Sequence, residues 1–265
     1  MIDRATSPQW DPAQYARFEA QRDRAALDLI RQIPEDLTPR EIWDLGCGAG
    51  QHAALLRMRH PAAAVHGLDS SPEMIGKARA LDAAIDWRVG DIDGWTPDRP
   101  VDLILANASL QWLECHDRLL PALVRNLSSG GVLAVQMPMA YETRHHGLLR
   151  QVAGEGPWAQ VLAGASHLPP LPTPETYYDI LSTGCDAIDI WSTTYLHVLT
   201  GENAVLEWMR GTALRPHLTA LAGDPDLSRA FQDALGDALA RAFPMRADGT
   251  TLLPSPRVFL TGRRR

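Results

Sequence analysis

Asp44-Leu45-Gly46-Cys47-Gly48-Ala49-Gly50 sets an acidic residue ahead of three glycines at alternate positions. Glycines so spaced allow a tight turn and let a ligand approach the backbone, and a helix opening behind them offers unpaired N–H groups. In the frame starting at Gly48, Gly48-Ala49-Gly50-Gln51-His52-Ala53 also satisfies the dinucleotide fingerprint, with Asp69 downstream as a ribose carboxylate. The loop alone therefore leaves a nicotinamide cofactor open. Three further polar positions stand where apolar runs end: Asp69, Asp91 with Ile92, and Asn107. An ionised Asp69 only accepts hydrogen bonds, which suits a pair of ribose hydroxyls. Each also has a plain structural role: Asp69 as a cap for a helix opening at Pro72, and Asp91 as a strand end.

Elements must hold these positions. Residues 10–33 carry helical apolar spacing and are broken by Pro34 and Pro39. Short apolar runs at 42–45, 63–68, 85–89, 101–106 and 132–137 read as five strands. Helices read over 51–60, over 72–81, where Ser71 is the N-cap and Pro72 the first residue, and over 117–127. Strands alternating with helices imply an α/β fold, a Rossmann-like parallel sheet with helices on both faces. Four polar positions at successive carboxyl ends then line the edge where such sheets bind ligands. Beyond Pro138 the rhythm breaks. Residues 187–199 read as extended, 202–243 as helical and 257–262 as a last strand. The expectation is one domain over 1–265. It comprises an N-terminal helical segment at 1–39, a core at 40–137, and a helical cap with the last strands at 138–265.

Bulk properties narrow the partners. The 265 residues carry 25 Lys and Arg against 32 Asp and Glu, a net charge of −7, which disfavours nucleic acid and anionic membranes. Any anionic substrate then needs a local cluster of Arg or His. Cys47, Cys115 and Cys185 have no metal-ligand spacing and read as reduced thiols. With no signal-like or membrane-spanning run, the cytoplasm is expected, and a monomer is the default expectation. His145-His146 reads as a surface loop rather than a metal site, and Arg263 to Arg265 as a solvated tail.

Several stretches are more specific. Asp44 before the glycines, Gly90-Asp91-Ile92 and Asn107 resemble the motifs of class I S-adenosylmethionine-dependent methyltransferases. Trp10-Asp11-Pro12 with Tyr15, Phe18, Arg22 and Arg24 resembles the trans-aconitate 2-methyltransferase family, as do residues 107–113 (Asn-Ala-Ser-Leu-Gln-Trp-Leu) and 132–138. Tyr177-Tyr178-Asp179-Ile180-Leu181, residues 189–195 and Leu214-Arg215-Pro216 are similar to its later segments. This resemblance implies S-adenosylmethionine as cofactor, held by Tyr15, Arg24, Asp44, Gly46, Gly48, Asp69, Ser70, Met74, Asp91, Ile92 and Asn107. It implies transfer of a methyl group to a carboxylate of a small polycarboxylate, with Trp10, Gln111, Trp112, Tyr177 and Arg215 as substrate-binding candidates.

A carboxylate with a pKa near ~4 is already ionised at neutral pH, so this chemistry needs no catalytic acid, base or nucleophile. Rate would come from alignment. In this chain Met139-Ala140-Tyr141 stand where the family continues with Asp-Asn, so any substrate contact made by that pair is either absent or moved to Arg144, His145 or His146. Other readings are a methyltransferase for quinone C-methylation or carrier-bound malonyl groups, an NAD-dependent oxidoreductase, and a cofactor-binding protein without turnover.

Overall fold

The computed structural model describes residues 19–165 and 169–265, with side chains from Asp23 onward. Trp10 and Tyr15 lie outside the described residues. Contacts divide the chain into two compact units. The larger takes residues 24–138, 171–193 and 257–265; the smaller, among the described residues, takes 19–23, 139–165, 169–170 and 194–256.

In the larger unit, helix α1 (Glu19–Arg31) precedes strand β1 (Glu41–Leu45). Then follow α2 (Gln51–Arg59), β2 (Ala64–Asp69), α3 (Pro72–Leu81), β3 (Asp86–Val89) and β4 (Val101–Asn107). A 3-10 turn (Leu110–Trp112), α4 (His116–Asn126) and β5 (Leu127–Pro138) complete the run. The sheet order is β3-β2-β1-β4-β5-β7-β6, with β1 to β5 parallel. β7 (Thr250–Arg264) lies antiparallel to β5, Pro138 opposite Arg257 and Val132 opposite Arg263. In β4, Leu103 to Ala106 are fully buried, as are Val132 to Val135 in β5, the near-continuous apolar run expected of parallel strands covered on both faces.

The smaller unit holds α5 (Arg144–Gly154), α6 (Ala159–Leu162), α8 (Ala204–Arg210), α9 (Arg215–Ala220) and α10 (Pro225–Ala242). Helix α7 (Pro174–Ser182) returns the chain to the larger unit, and β6 (Cys185–Thr200) runs through both. Phe231, Leu235 and Leu239 recur at helical spacing on α10 and form a buried stripe. They join a core with Trp158, Leu206, Trp208 and Leu253. Helices α3, α7 and α10 open alike. Ser71, Thr173 and Asp224 accept the backbone N–H three residues on, with Pro at the first helical position each time.

Three sequence expectations are corrected. The last strand begins at Thr250, seven residues early. Residues 263–265 are no solvated tail. Arg263 grips Asp36 with two bonds of 2.7 and 2.8 Å, Arg264 donates to the Leu127 carbonyl, and Arg265 pairs with Asp186 at 2.9 Å. His145 is in no surface loop but on α5, 6% exposed.

Candidate active site

The strand order reverses between β1 and β4, and ligands of open α/β sheets bind at the carboxyl ends flanking such a switch point. The glycine loop follows β1 at this place. Gly46 has φ +76°, and a Cβ there would stand 2.3 Å from the Cβ of Ser109, so the position admits no side chain. The Gly46 and Cys47 N–H groups donate to the Leu68 carbonyl at 2.7 and 3.0 Å, folding the loop onto the end of β2. Gly48, at φ +55°, has open space where its Cβ would be.

Asp69 ends β2 and organises the loop from the other side. Its Oδ2 accepts the Gly48 N–H at 2.9 Å and its Oδ1 the Ser71 N–H at 2.8 Å. Each carboxylate oxygen retains a lone pair, so the structural role and a ribose role coexist. Ser70 is exposed beside it, and Met74 is buried on the first turn of α3. Asp91, exposed, accepts the Asp93 N–H at 3.0 Å, and Ile92 is buried. Arg24 is exposed on α1.

Asp44 is 1% exposed. Burial pushes its carboxyl up to about 6, an effect that His52 reduces and Asp69 reinforces. It pairs in register with Leu105, two residues before Asn107, so Asp44 and Asn107 project from the same sheet face. Gln136 of β5 pairs with Asn107 and joins that face. Among the described residues, Asp44 Oδ2, Asn107 Oδ1, Gln111 Oε1 and Gln136 Nε2 are buried without a hydrogen-bond partner. Three are acceptors and one is a donor. Such a set calls for a ligand rich in cationic N–H with a smaller anionic part. The ammonium, sulfonium and carboxylate at the methionine end of S-adenosylmethionine fit it, whereas a pyrophosphate, all acceptors, does not. Gln136 was not picked out from sequence, although a lone amide inside the run Val132 to Met137 is the signal that marks it.

The substrate-binding candidates divide. Gln111 is buried on the turn after β4 and donates to the Ala108 carbonyl at 2.7 Å, while Trp112 is 56% exposed. Tyr177 is withdrawn as a ligand contact. It is fully buried, and its hydroxyl lies 2.7 Å from His116 Nδ1, so it serves the interior while the adjacent Tyr178 faces out. In the smaller unit, Arg215 has a buried Nη1 without a partner among the described residues. After β5, Arg150 stacks on Tyr141 at 4.0 Å, and Arg144 donates to the Ala242 carbonyl and lies over Phe243. Burial lowers His145 to about 3, so it is neutral and supplies no counter-charge. Among the described residues no group of His, Cys, Asp and Glu is placed to hold a metal, and no helix is long and apolar enough to cross a membrane.

A parallel sheet with an antiparallel strand beside β5, and an acid-and-glycine loop at its switch point, defines a class I S-adenosylmethionine-dependent methyltransferase. Residues 42–131 match a methyltransferase domain family. The fold is shared with the YcgJ protein of Bacillus subtilis (TM-score 0.58, 15% identity, covering 91% of this chain and 97% of that one). It is also shared with phosphoethanolamine N-methyltransferase 2 of Haemonchus contortus, solved with S-adenosylhomocysteine (TM-score 0.53, 18% identity, covering 90% and 52%). Trans-aconitate 2-methyltransferase of Azoarcus sp. is 45% identical over 97% of this chain and 100% of its own length. That of Streptomyces coelicolor is 42% identical over 98% of this chain and 88% of its own. The chain belongs to the trans-aconitate 2-methyltransferase family.

Proposed function

We propose that the chain catalyses transfer of the methyl group of S-adenosylmethionine to a carboxylate oxygen of trans-aconitate or a closely similar small polycarboxylate, giving a methyl ester and S-adenosylhomocysteine. The observation that carries this reading is the extent of the likeness. A relative so named matches 97% of the chain at 45% identity, which takes in the segments after Pro138 as well as the glycine loop. Bound S-adenosylmethionine supplies an electrophilic methyl on sulfur, and an ionised carboxylate accepts it without losing a proton.

The residues then act by holding and aligning. Gly46 and Gly48 give the methionine end close access to backbone, Asp44 and Asn107 face its ammonium, and Asp69 takes the ribose hydroxyls. Asp91 and Ile92 bracket the adenine, with Arg24, Ser70 and Met74 around the nucleoside. Gln111 and Trp112 approach the acid from the turn after β4. Arg215 supplies a guanidinium for one of its carboxylates. Alignment of oxygen, carbon and sulfur is worth up to roughly 7–11 kcal/mol in favourable systems. The reading places the chain as a monomer in the cytoplasm, in keeping with three free thiols.

The test measures S-adenosylhomocysteine formed with trans-aconitate, cis-aconitate, citrate or isocitrate. Turnover is expected to be strongest with trans-aconitate. Binding of S-adenosylmethionine with none of these acids methylated would overturn the substrate and leave the cofactor.

A further inference from the structure

The turn after β4 combines backbone strain with an unusual number of polar ties. Ala108 and Cys115 bracket it with φ of +52° and +58°. A residue bearing a Cβ is disfavoured there and persists only where its surroundings over-determine it. The ties supply that constraint. The Ala108 N–H donates to the Gln136 carbonyl at 2.9 Å, the Ser109 hydroxyl to the Leu45 carbonyl at 2.7 Å, and Gln111 Nε2 to the Ala108 carbonyl at 2.7 Å. At the far side the Leu110 carbonyl accepts the Leu113 N–H at 2.9 Å and lies 3.0 Å from His116 Nε2.

His116 is 5% exposed, and its other nitrogen lies 2.7 Å from the Tyr177 hydroxyl. This geometry sets the tautomer. A carbonyl only accepts, so Nε2 carries a hydrogen, and Nδ1, when bare, takes its hydrogen from Tyr177. Burial pushes the Tyr177 pKa up, which keeps that phenolic proton in place. With the proton given to Nδ1, the 4.0 Å approach of the hydroxyl to Met137 Sδ is a packing contact.

We infer that His116 is a positioning residue for the acid: its Nε2–H, kept in that tautomer by the buried Tyr177 hydroxyl, fixes the Leu110 carbonyl and thereby where Gln111 and Trp112 stand. This rests on the reading above that the turn faces the acid.

The test uses the full chain and four variants. His116→Asn removes the donor to Leu110, whereas His116→Gln restores an N–H at the Nε2 position. Tyr177→Phe keeps the ring and removes the hydroxyl, and Gln111→Ala probes the turn itself. A lost buried hydrogen bond of about 1 kcal/mol corresponds to roughly fivefold. His116→Asn should raise KM for trans-aconitate roughly fivefold or more, Tyr177→Phe roughly threefold, and His116→Gln by less than about twofold. Because Gln111 Oε1 also belongs to the polar set facing the cofactor, the affinity for S-adenosylmethionine should fall as well, but by less than that for the acid. Independently of activity, nitrogen NMR of the ligand-free protein should show His116 as the Nε2–H tautomer. Hydrogen exchange across residues 109–115 should quicken in His116→Asn and recover in His116→Gln.

An Nδ1–H tautomer, or exchange and KM unmoved in Tyr177→Phe and His116→Asn, would overturn the inference. So would equal loss in His116→Asn and His116→Gln. If His116→Asn fails to fold, Tyr177→Phe and the tautomer decide. If Gln111→Ala leaves KM for the acid unchanged, the reading of the turn fails instead. A raised KM there with His116→Asn silent sinks the positioning role alone.

Discussion

Asp44 shows at the scale of one residue how a binding site opposes its own fold. Buried beside β4, its carboxylate is easier to protonate than in the unfolded chain, with the pKa near 6. The sign follows from linkage. A raised carboxylate pKa means that ionisation disfavours the folded state above the usual value near 3.8, so in the ligand-free protein this charge costs stability at neutral pH. A cation bound against it offsets that cost. Binding therefore needs the ionised form, and affinity for S-adenosylmethionine should be level from pH 8 to 7. Below pH 6 it should weaken toward about tenfold per pH unit. Titration calorimetry from pH 8 to 5 checks this. In Asp44→Asn the affinity should be lower at neutral pH and the dependence should vanish. A wild-type affinity unchanged at pH 5 would remove Asp44 from the ammonium. At saturating cofactor and acid the rate should stay flat between about pH 6 and 8, because the acceptor carboxylate is ionised throughout.

Among the elements, α3 opens beside the cofactor loop and is tied to it through Asp69. Ser71 Oγ accepts the Met74 N–H at 3.3 Å, Pro72 stands at the first helical position, and Asp69 holds the Ser71 N–H. Ser71→Ala should lower stability by about 1 kcal/mol, while Ser71→Asp, which also caps, should nearly preserve it. Urea denaturation followed by fluorescence measures both, and an unchanged midpoint in Ser71→Ala would show the cap to be idle. The same chemistry made this helix legible: Ser71-Pro72 and the apolar spacing predict residues 72–81, which is where α3 lies. β1, β2 and β4 were legible for a similar reason, because strands covered on both faces read as apolar runs. β5 and β7 were under-read at their ends. Ser128 to Gly131 reads as a turn, yet Leu127 pairs with Val101 ahead of a register shift. Thr250 to Pro256 carries two prolines inside a strand. At the site, the glycine loop, Asp69 and Asn107 announce themselves by sitting at strand ends. Gln136 stands inside its strand and shows only as a lone amide in an apolar run, and that its Nε2 lacks a partner is a property of packing. Nor does sequence separate Tyr177 from Tyr178, whose opposite fates depend on which face α7 turns inward.

At the scale of the whole molecule, the smaller unit is the one that acid should loosen. His145 on α5 is 6% exposed and packs at 4.8 Å from the His146 ring and 6.1 Å from Phe243, with Thr143 Oγ1 3.4 Å from its Nε2. Burial, then the charges that His146 and His197 acquire on protonation, lower its pKa to about 3. The folded state thus prefers the neutral ring, while the unfolded chain takes a proton near 6.5. The stability contribution is whole above pH 6.5 and is lost progressively as pH falls toward 3. Each pH unit in that window removes about 1.4 kcal/mol, so His145 alone accounts for about 2 kcal/mol between pH 6.5 and 5. Trp158 and Trp208 lie in the core of this unit and report its unfolding by fluorescence. Urea midpoints from pH 7.5 to 5 should fall for the wild type and fall less steeply for His145→Leu, even if that variant starts lower. Parallel pH profiles for the two proteins would show that His145 is protonated at no cost, and that the buried neutral ring is not what ties this unit's stability to pH.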